Sequence, residues 1–86
     1  MSPTIHKEAG FVFYFYSYDV AANEPPHVHV GEQRPRARGD AKVWLTPVGV
    51  ADSGRFSQRK INRILTIVNA EQQEMLEDWN DYQQRI

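Results

Sequence analysis

The chain has 86 residues, 41% of them hydrophobic, with no cysteine and a net charge of −1. That length supports one domain over residues 1–86 with one core, and the lack of thiols excludes disulfides, thiolate-held zinc, iron–sulfur clusters and cysteine nucleophiles. The near-neutral total hides a division: residues 34–63 carry eight basic against two acidic side chains, and residues 64–86 carry five acidic against one basic, so the middle third is the part that would draw an anion or an acidic partner.

The opening stretch, MSPTIHKEAG, has neither the apolar run nor the cleavage site of an export leader. No apolar run approaches the roughly 18 residues of a membrane span. The expectation is a cytoplasmic protein with no membrane contact. Residues 11–18, FVFYFYSY, are aromatic and β-branched almost throughout, which predicts a central strand covered on both faces. Phe11, Phe13 and Phe15 share one face; Val12, Tyr14, Tyr16 and Tyr18 share the other, where the tyrosine hydroxyls suit a wet boundary.

DVAANEPP, residues 19–26, reads as a loop, because Pro25 and Pro26 fix an extended backbone and remove two donors. His27-Val28-His29-Val30 then alternates with the period of a strand, which places Val28 and Val30 inward and both histidines outward. Gly31-Glu32-Gln33 reads as a tight turn. Residues 36–45 alternate as well, with Ala37, Gly39, Ala41, Val43 and Leu45 on one face and Arg36, Arg38, Asp40, Lys42 and Trp44 on the other. A turn centred on Glu32 and Gln33 would set Val30 against Pro35, His29 against Arg36 and His27 against Arg38. Thr46-Pro47 breaks the ladder, and Val48-Gly49-Val50 reads as a short fourth strand before an Asp52-Ser53-Gly54 turn.

From Ser57 the period becomes helical. Ile61, Ile64, Leu65 and Val68 form one stripe with Ser57 as N-cap, while Arg59, Lys60 and Arg63 lie opposite. Asn69 followed by Gln72 has the spacing of a capping box, which predicts a corner and a second helix to about Arg85 with Met75, Leu76, Trp79 and Tyr82 inward. The expected fold is α+β: a three- to four-stranded antiparallel β-meander followed by two C-terminal helices packed on one sheet face. The helices would cover the Val28, Val30, Ala41 and Val43 side and leave the histidine side open.

The order of these pieces resembles a small bacterial family, domain of unknown function 4160. The match rests on Asn23, Pro25, Pro26, His27 and His29, which fit an Asn-x-Pro-Pro-His-x-His pattern, and on Leu76 and Trp79 in the C-terminal helix. The resemblance spans roughly residues 5–85. It implies a gene pair of the toxin–antitoxin kind, in which the partner is a small protein encoded by a neighbouring gene. The chain departs from the family pattern at residues 47–57, PVGVADSGRFS, where the family is more acidic.

The candidate site is the outward face of the predicted hairpin. His27 and His29 stand two apart on one strand, with Cα atoms about 6.5–7 Å apart. Two imidazoles can share a metal ion, but a stable zinc site needs a third and fourth ligand. His6, Asp19, Glu24 and Asp40 are candidates without a diagnostic spacing, and Arg36 and Arg38 opposite would repel a cation. The reading therefore assigns no metal and no cofactor. It assigns instead a ligand-binding face of His27, His29, Arg36, Arg38 and Lys42, whose guanidinium forks suit phosphate or carboxylate. Tyr16 or Trp44 beside it would offer a base a stacking surface. The function expected is a binding or regulatory module for an anion, a nucleic acid or an acidic protein, with a second copy of the chain as a further partner through the acidic helix face. The alternative is a metal-independent RNA-cleaving toxin with a histidine base and an arginine on the scissile phosphate. No nucleophile elbow or phosphate-cradling glycine loop is present.

Overall fold

The computed structural model describes residues 4–85. The start of the chain, read above for a leader, includes residues 1–3, which lie outside the described residues. Five strands form one antiparallel meander in the order β1 (Thr4–Glu8), β2 (Phe11–Tyr14), β3 (His27–Glu32), β4 (Ala41–Leu45) and β5 (Val48–Asp52). A five-residue helix, α1 (Ser17–Ala21), lies between β2 and β3, and a 28-residue helix, α2 (Gln58–Arg85), follows the sheet. The α+β class and the meander hold; the strand count and the helix count are corrected.

The extra strand, β1, is an edge strand with only Ile5 apolar, and Lys7 and Glu8 are exposed. Charged edges of this kind discourage pairing with other chains, and they also erase the apolar alternation by which a strand is read. The turn into β2 uses Ala9 and Gly10, both at positive φ (55° and 84°). Two such residues make a hairpin turn of the primed type, with an alanine where Asn or Asp is the usual signal.

The central strand ends at Tyr14 rather than running to Tyr18, because the chain turns into α1 from Tyr16. Tyr14 is fully buried, Tyr16 half-buried and Tyr18 exposed, so only the last two meet the expectation of a wet boundary. The hairpin register also differs from the predicted one. Val30 pairs with Ala41, His29 with Lys42 and His27 with Trp44. Gly31 and Glu32 remain in β3, and the tight turn is replaced by a loop over residues 33–40.

That loop has its own physical basis. Gln33 and Arg36 adopt left-handed φ values of 70° and 59°, and Gly39 follows at 85°. The Asp40 carboxylate ties it down, with Oδ2 accepting from the Ala37 N–H at 3.0 Å and from the Tyr14 hydroxyl at 2.5 Å. Gly31 is needed beneath it: a Cβ there would come within 2.3 Å of the Arg34 carbonyl oxygen. The loop therefore folds back over the outer face of β3, and Arg36 and Arg38 ride in it rather than in a strand.

α2 is one continuous helix with no corner at Asn69. Its apolar stripe, Ile61, Ile64, Val68, Met75 and Trp79, runs straight through that position, and no Gly or Pro interrupts residues 58–85. The two supposed cap residues have other partners: Asn69 Nδ2 donates to the Leu65 carbonyl and Gln72 Nε2 donates to the Leu45 carbonyl at 2.6 Å. Ser57 does cap the helix, its Oγ accepting from the Lys60 N–H at 3.3 Å. The stripe packs on Phe11, Phe13, Val28, Val30, Ala41, Val43 and Leu45, so the helix covers the expected face. The outer face carries Tyr14, His29, Lys42 and Trp44, flanked by α1 at one end and the 33–40 loop at the other.

Candidate functional site

The stretch from Tyr16 to Val30 builds a compact polar centre, and each of its punctuating residues has a task. α1 carries Asp19 in its first turn. Asn23, at φ 60°, ends the turn that follows, and its Oδ1 accepts from Gln83 Nε2 of α2 at 2.9 Å. Left-handed Asn is a common helix terminator. Pro25 and Pro26 donate nothing, but both of their carbonyls are used. The Pro26 oxygen accepts from the Leu45 N–H at 3.0 Å and so begins the β3–β4 ladder. The Pro25 oxygen accepts from His27 Nδ1 at 2.9 Å. The loop thereby fixes the ring of the first strand residue.

With Nδ1 held, His27 turns Nε2 toward Asp19 Oδ2 at 2.9 Å, and His29 Nε2 reaches the same oxygen at 3.1 Å. The ligand-capable atoms of Asp19, His27 and His29 all lie within 4.8 Å of one another. The two histidines share the outer face as expected, but His27 is 0% exposed rather than open to solvent. Its ring lies 5.1 Å from Trp79, 5.7 Å from Trp44 and 5.1 Å from His29. His29 is stacked on Tyr14 at 5.5 Å and meets the edge of Tyr16 at 4.6 Å. The remaining opening of the centre is narrow, on the side of His29 and Asp19, whose side chains are 17% and 10% exposed.

Burial pushes the Asp19 carboxyl up, but the contacts with His27 and His29 outweigh it and hold the group below its ordinary value. Burial lowers His29, reinforced by the charges of His27 and Lys42 and opposed by Asp19. The consistent state has an ionised Asp19 accepting from a neutral His29. Burial and the bond to Asp40 hold the Tyr14 phenol protonated far above its usual range. The second carboxyl oxygen of Asp40 is buried with no partner among the described residues.

The five residues assigned from sequence divide into two groups. His27, His29 and Lys42 are neighbours on the outer face. Lys42 Nζ sits 4.6 Å over the Trp44 ring and 3.6 Å from Glu24 Oε1, so its charge is largely engaged. Arg36 and Arg38 are exposed in the 33–40 loop and do not stand opposite the histidines. The Arg36 N–H bonds the Tyr14 hydroxyl, while Arg38 lies toward the base of α2, its carbonyl accepting from Arg55 Nη1 at 3.4 Å. The cation ladder therefore breaks into a histidine centre and a basic end. Asp19 is the residue whose position the pattern concealed; the available signal was a carboxylate eight residues before the first histidine of His-x-His.

A family model described as "Domain of unknown function (DUF4160)" matches residues 10–80. The chain belongs to that family. The match takes in α1, the whole Asn23–His29 stretch and α2 through Trp79. No curated protein and no solved structure matches the chain. The DUF4160 sequence thus includes every side chain of the Asp19–His27–His29 centre. Among the described residues no helix is long and apolar enough to cross a membrane.

Proposed function

We propose that this DUF4160 chain is a small binding module, one half of a two-protein pair, that recognises an acidic partner protein through its basic end. The observation that carries this reading is the bridge made by Arg55. Its side chain packs against the Cα of Gly39, donates to the Arg38 carbonyl and lies 5.7 Å over the Phe56 ring at the base of α2. The bridge ties the loop that carries the exposed Arg34, Arg36 and Arg38 to the segment leading into α2, whose first turns carry Arg59 and Arg63.

The first turn of α2 contains no acidic residue, and it carries Arg59 and Lys60 instead. Cations there oppose the helix dipole. Among the described residues, Glu32 offsets Lys60 at 2.8 Å and no ion pair offsets Arg59. The acids of α2 lie at its far end, from Glu71 to Asp81. A surface that keeps cations where they cost stability is explained by a partner that uses them. A protein fits that partner better than a nucleic acid, because the whole chain is net −1 with a pI near 6.3, whereas nucleic-acid binders are strongly basic as domains. The RNA-cleaving alternative requires an arginine facing a histidine, and the β3–β4 pairing lends it no support.

The test is co-expression with the protein encoded by the adjacent gene, followed by size-exclusion chromatography. The expected result is co-elution that weakens sharply from 0.1 M to 1 M salt, as the screening length falls from about 10 Å to about 3 Å, and that is lost in Arg38→Glu/Arg59→Glu. Co-elution indifferent to charge reversal, its absence, or co-elution with RNA alone contradicts the reading.

A further inference from the structure

We propose that Asp19, His27 and His29 form a three-ligand binding site for a late first-row divalent cation of the zinc type. His27 has one more acceptor around it than a neutral ring has protons to give. A neutral imidazole has one N–H, and the ring has an acceptor at both nitrogens: the Pro25 carbonyl oxygen at 2.9 Å from Nδ1 and the Asp19 carboxylate at 2.9 Å from Nε2. Both partners only accept, so the single proton can serve one of them; on Nδ1 it satisfies the Pro25 carbonyl. Nε2 then points a lone pair at a carboxylate oxygen, in a residue with no solvent exposure. A cation between the two satisfies both lone pairs.

The surroundings agree with that role. Metal-bound histidines characteristically donate the other ring N–H to a carbonyl or carboxylate, which fixes the tautomer and the ring plane; the Pro25 carbonyl does this for His27. Zinc–nitrogen and zinc–oxygen bonds of about 2.0–2.1 Å in a tetrahedral site set ligand atoms about 3.3 Å apart. The two Nε2–Oδ2 separations of 2.9 and 3.1 Å need to open by a few tenths of an ångström. Two imidazoles and one carboxylate suit zinc or ferrous iron rather than calcium or magnesium. The arginines that the sequence reading set against a cation lie elsewhere, and Lys42 is engaged by Glu24. Three ligands leave a further coordination position, facing the narrow opening beside His29 and Asp19.

The three histidines of the chain make the test self-controlled. His6 belongs to a separate surface cluster with Glu8 at 2.9 Å and Glu71 at 3.8 Å, the natural place for adventitious binding. Chelator-treated full-length protein is titrated calorimetrically with Zn²⁺. The expected result is one ion per chain, an affinity weakened at least about tenfold in His29→Ala and in Asp19→Asn, and no change in His6→Ala. Circular dichroism checks that each variant is folded. Because His29 and Asp19 are not fully enclosed, either substitution serves if the other destabilises the chain. Absence of binding, binding undiminished in folded His29→Ala or Asp19→Asn, or binding lost in His6→Ala overturns the proposal.

Discussion

The two polar regions of this chain are built on opposite principles. In the Asp19–His27–His29 centre, two imidazoles of β3 converge on one carboxylate oxygen of α1, and the flanking prolines take part through their carbonyls. At the basic end, long cationic side chains stand exposed on the 33–40 loop and the first turns of α2, and Arg55 ties the loop to the base of the helix. The centre is fixed by geometry and belongs to the fold, whereas the basic end is defined by charge. Substitutions in the centre should therefore cost stability as well as any ligand, while those at the basic end should change affinity alone.

The largest expected effect is His27→Ala. It leaves a cavity between Trp44 and Trp79, an unpaired Pro25 carbonyl and a buried carboxylate short of one partner, and breaking a buried pair in this way costs about 3–5 kcal/mol. Urea denaturation measures it; a loss under about 1 kcal/mol would mean the centre is not integral to the core. Tyr14→Phe comes next, at about 1–3 kcal/mol, because it strips a buried donor from Asp40, which already has one oxygen without a partner among the described residues. This variant also carries a pH signature. The folded phenol is raised above its ordinary value of 10.0, so its contribution is fully present below that pH and is lost as the unfolded chain ionises above it. The stability gap between wild type and Tyr14→Phe should shrink above about pH 10; a constant gap would contradict the burial of the hydroxyl.

His29→Ala should cost less, about 1–2 kcal/mol, for one hydrogen bond and the stacking on Tyr14. It separates ligand binding from folding better than any other change in the centre. The smallest stability effect belongs to Arg38→Glu, expected within about 0.5 kcal/mol of wild type, while its effect on partner binding should be large. A destabilisation comparable to that of His29→Ala would erase the contrast between the two regions.

How much of this was legible in the sequence follows from the same contrast. The alternation of His27-Val28-His29-Val30 and of Ala41-Lys42-Val43-Trp44-Leu45 places the correct residues on each face, because period-two burial survives any even change of register. The register itself was not legible. It depends on Gly31 admitting the Arg34 carbonyl and on Asp40 capturing Ala37 within the loop and Tyr14 on β2, the last a contact 26 residues apart in the chain. Asp19 was visible as a possible ligand but not as the chosen one, since α1 is five residues long and its N-cap residue, Tyr16, makes no side-chain cap bond. Asn69 and Gln72 have the spacing of a cap, yet an uninterrupted apolar stripe and the sheet's Leu45 carbonyl outcompete it. Local pattern decided the faces, and non-local polar contacts decided what met on them.

The most direct measurement is a long-range proton–nitrogen NMR spectrum of the three imidazoles, recorded before and after one equivalent of Zn²⁺. The account predicts that His27 keeps its proton on Nδ1 throughout, that the Nε2 signals of His27 and His29 move together on addition of the ion, and that His6 stays in place. Movement of His6 alone, or a His27 ring protonated only on Nε2, would contradict it.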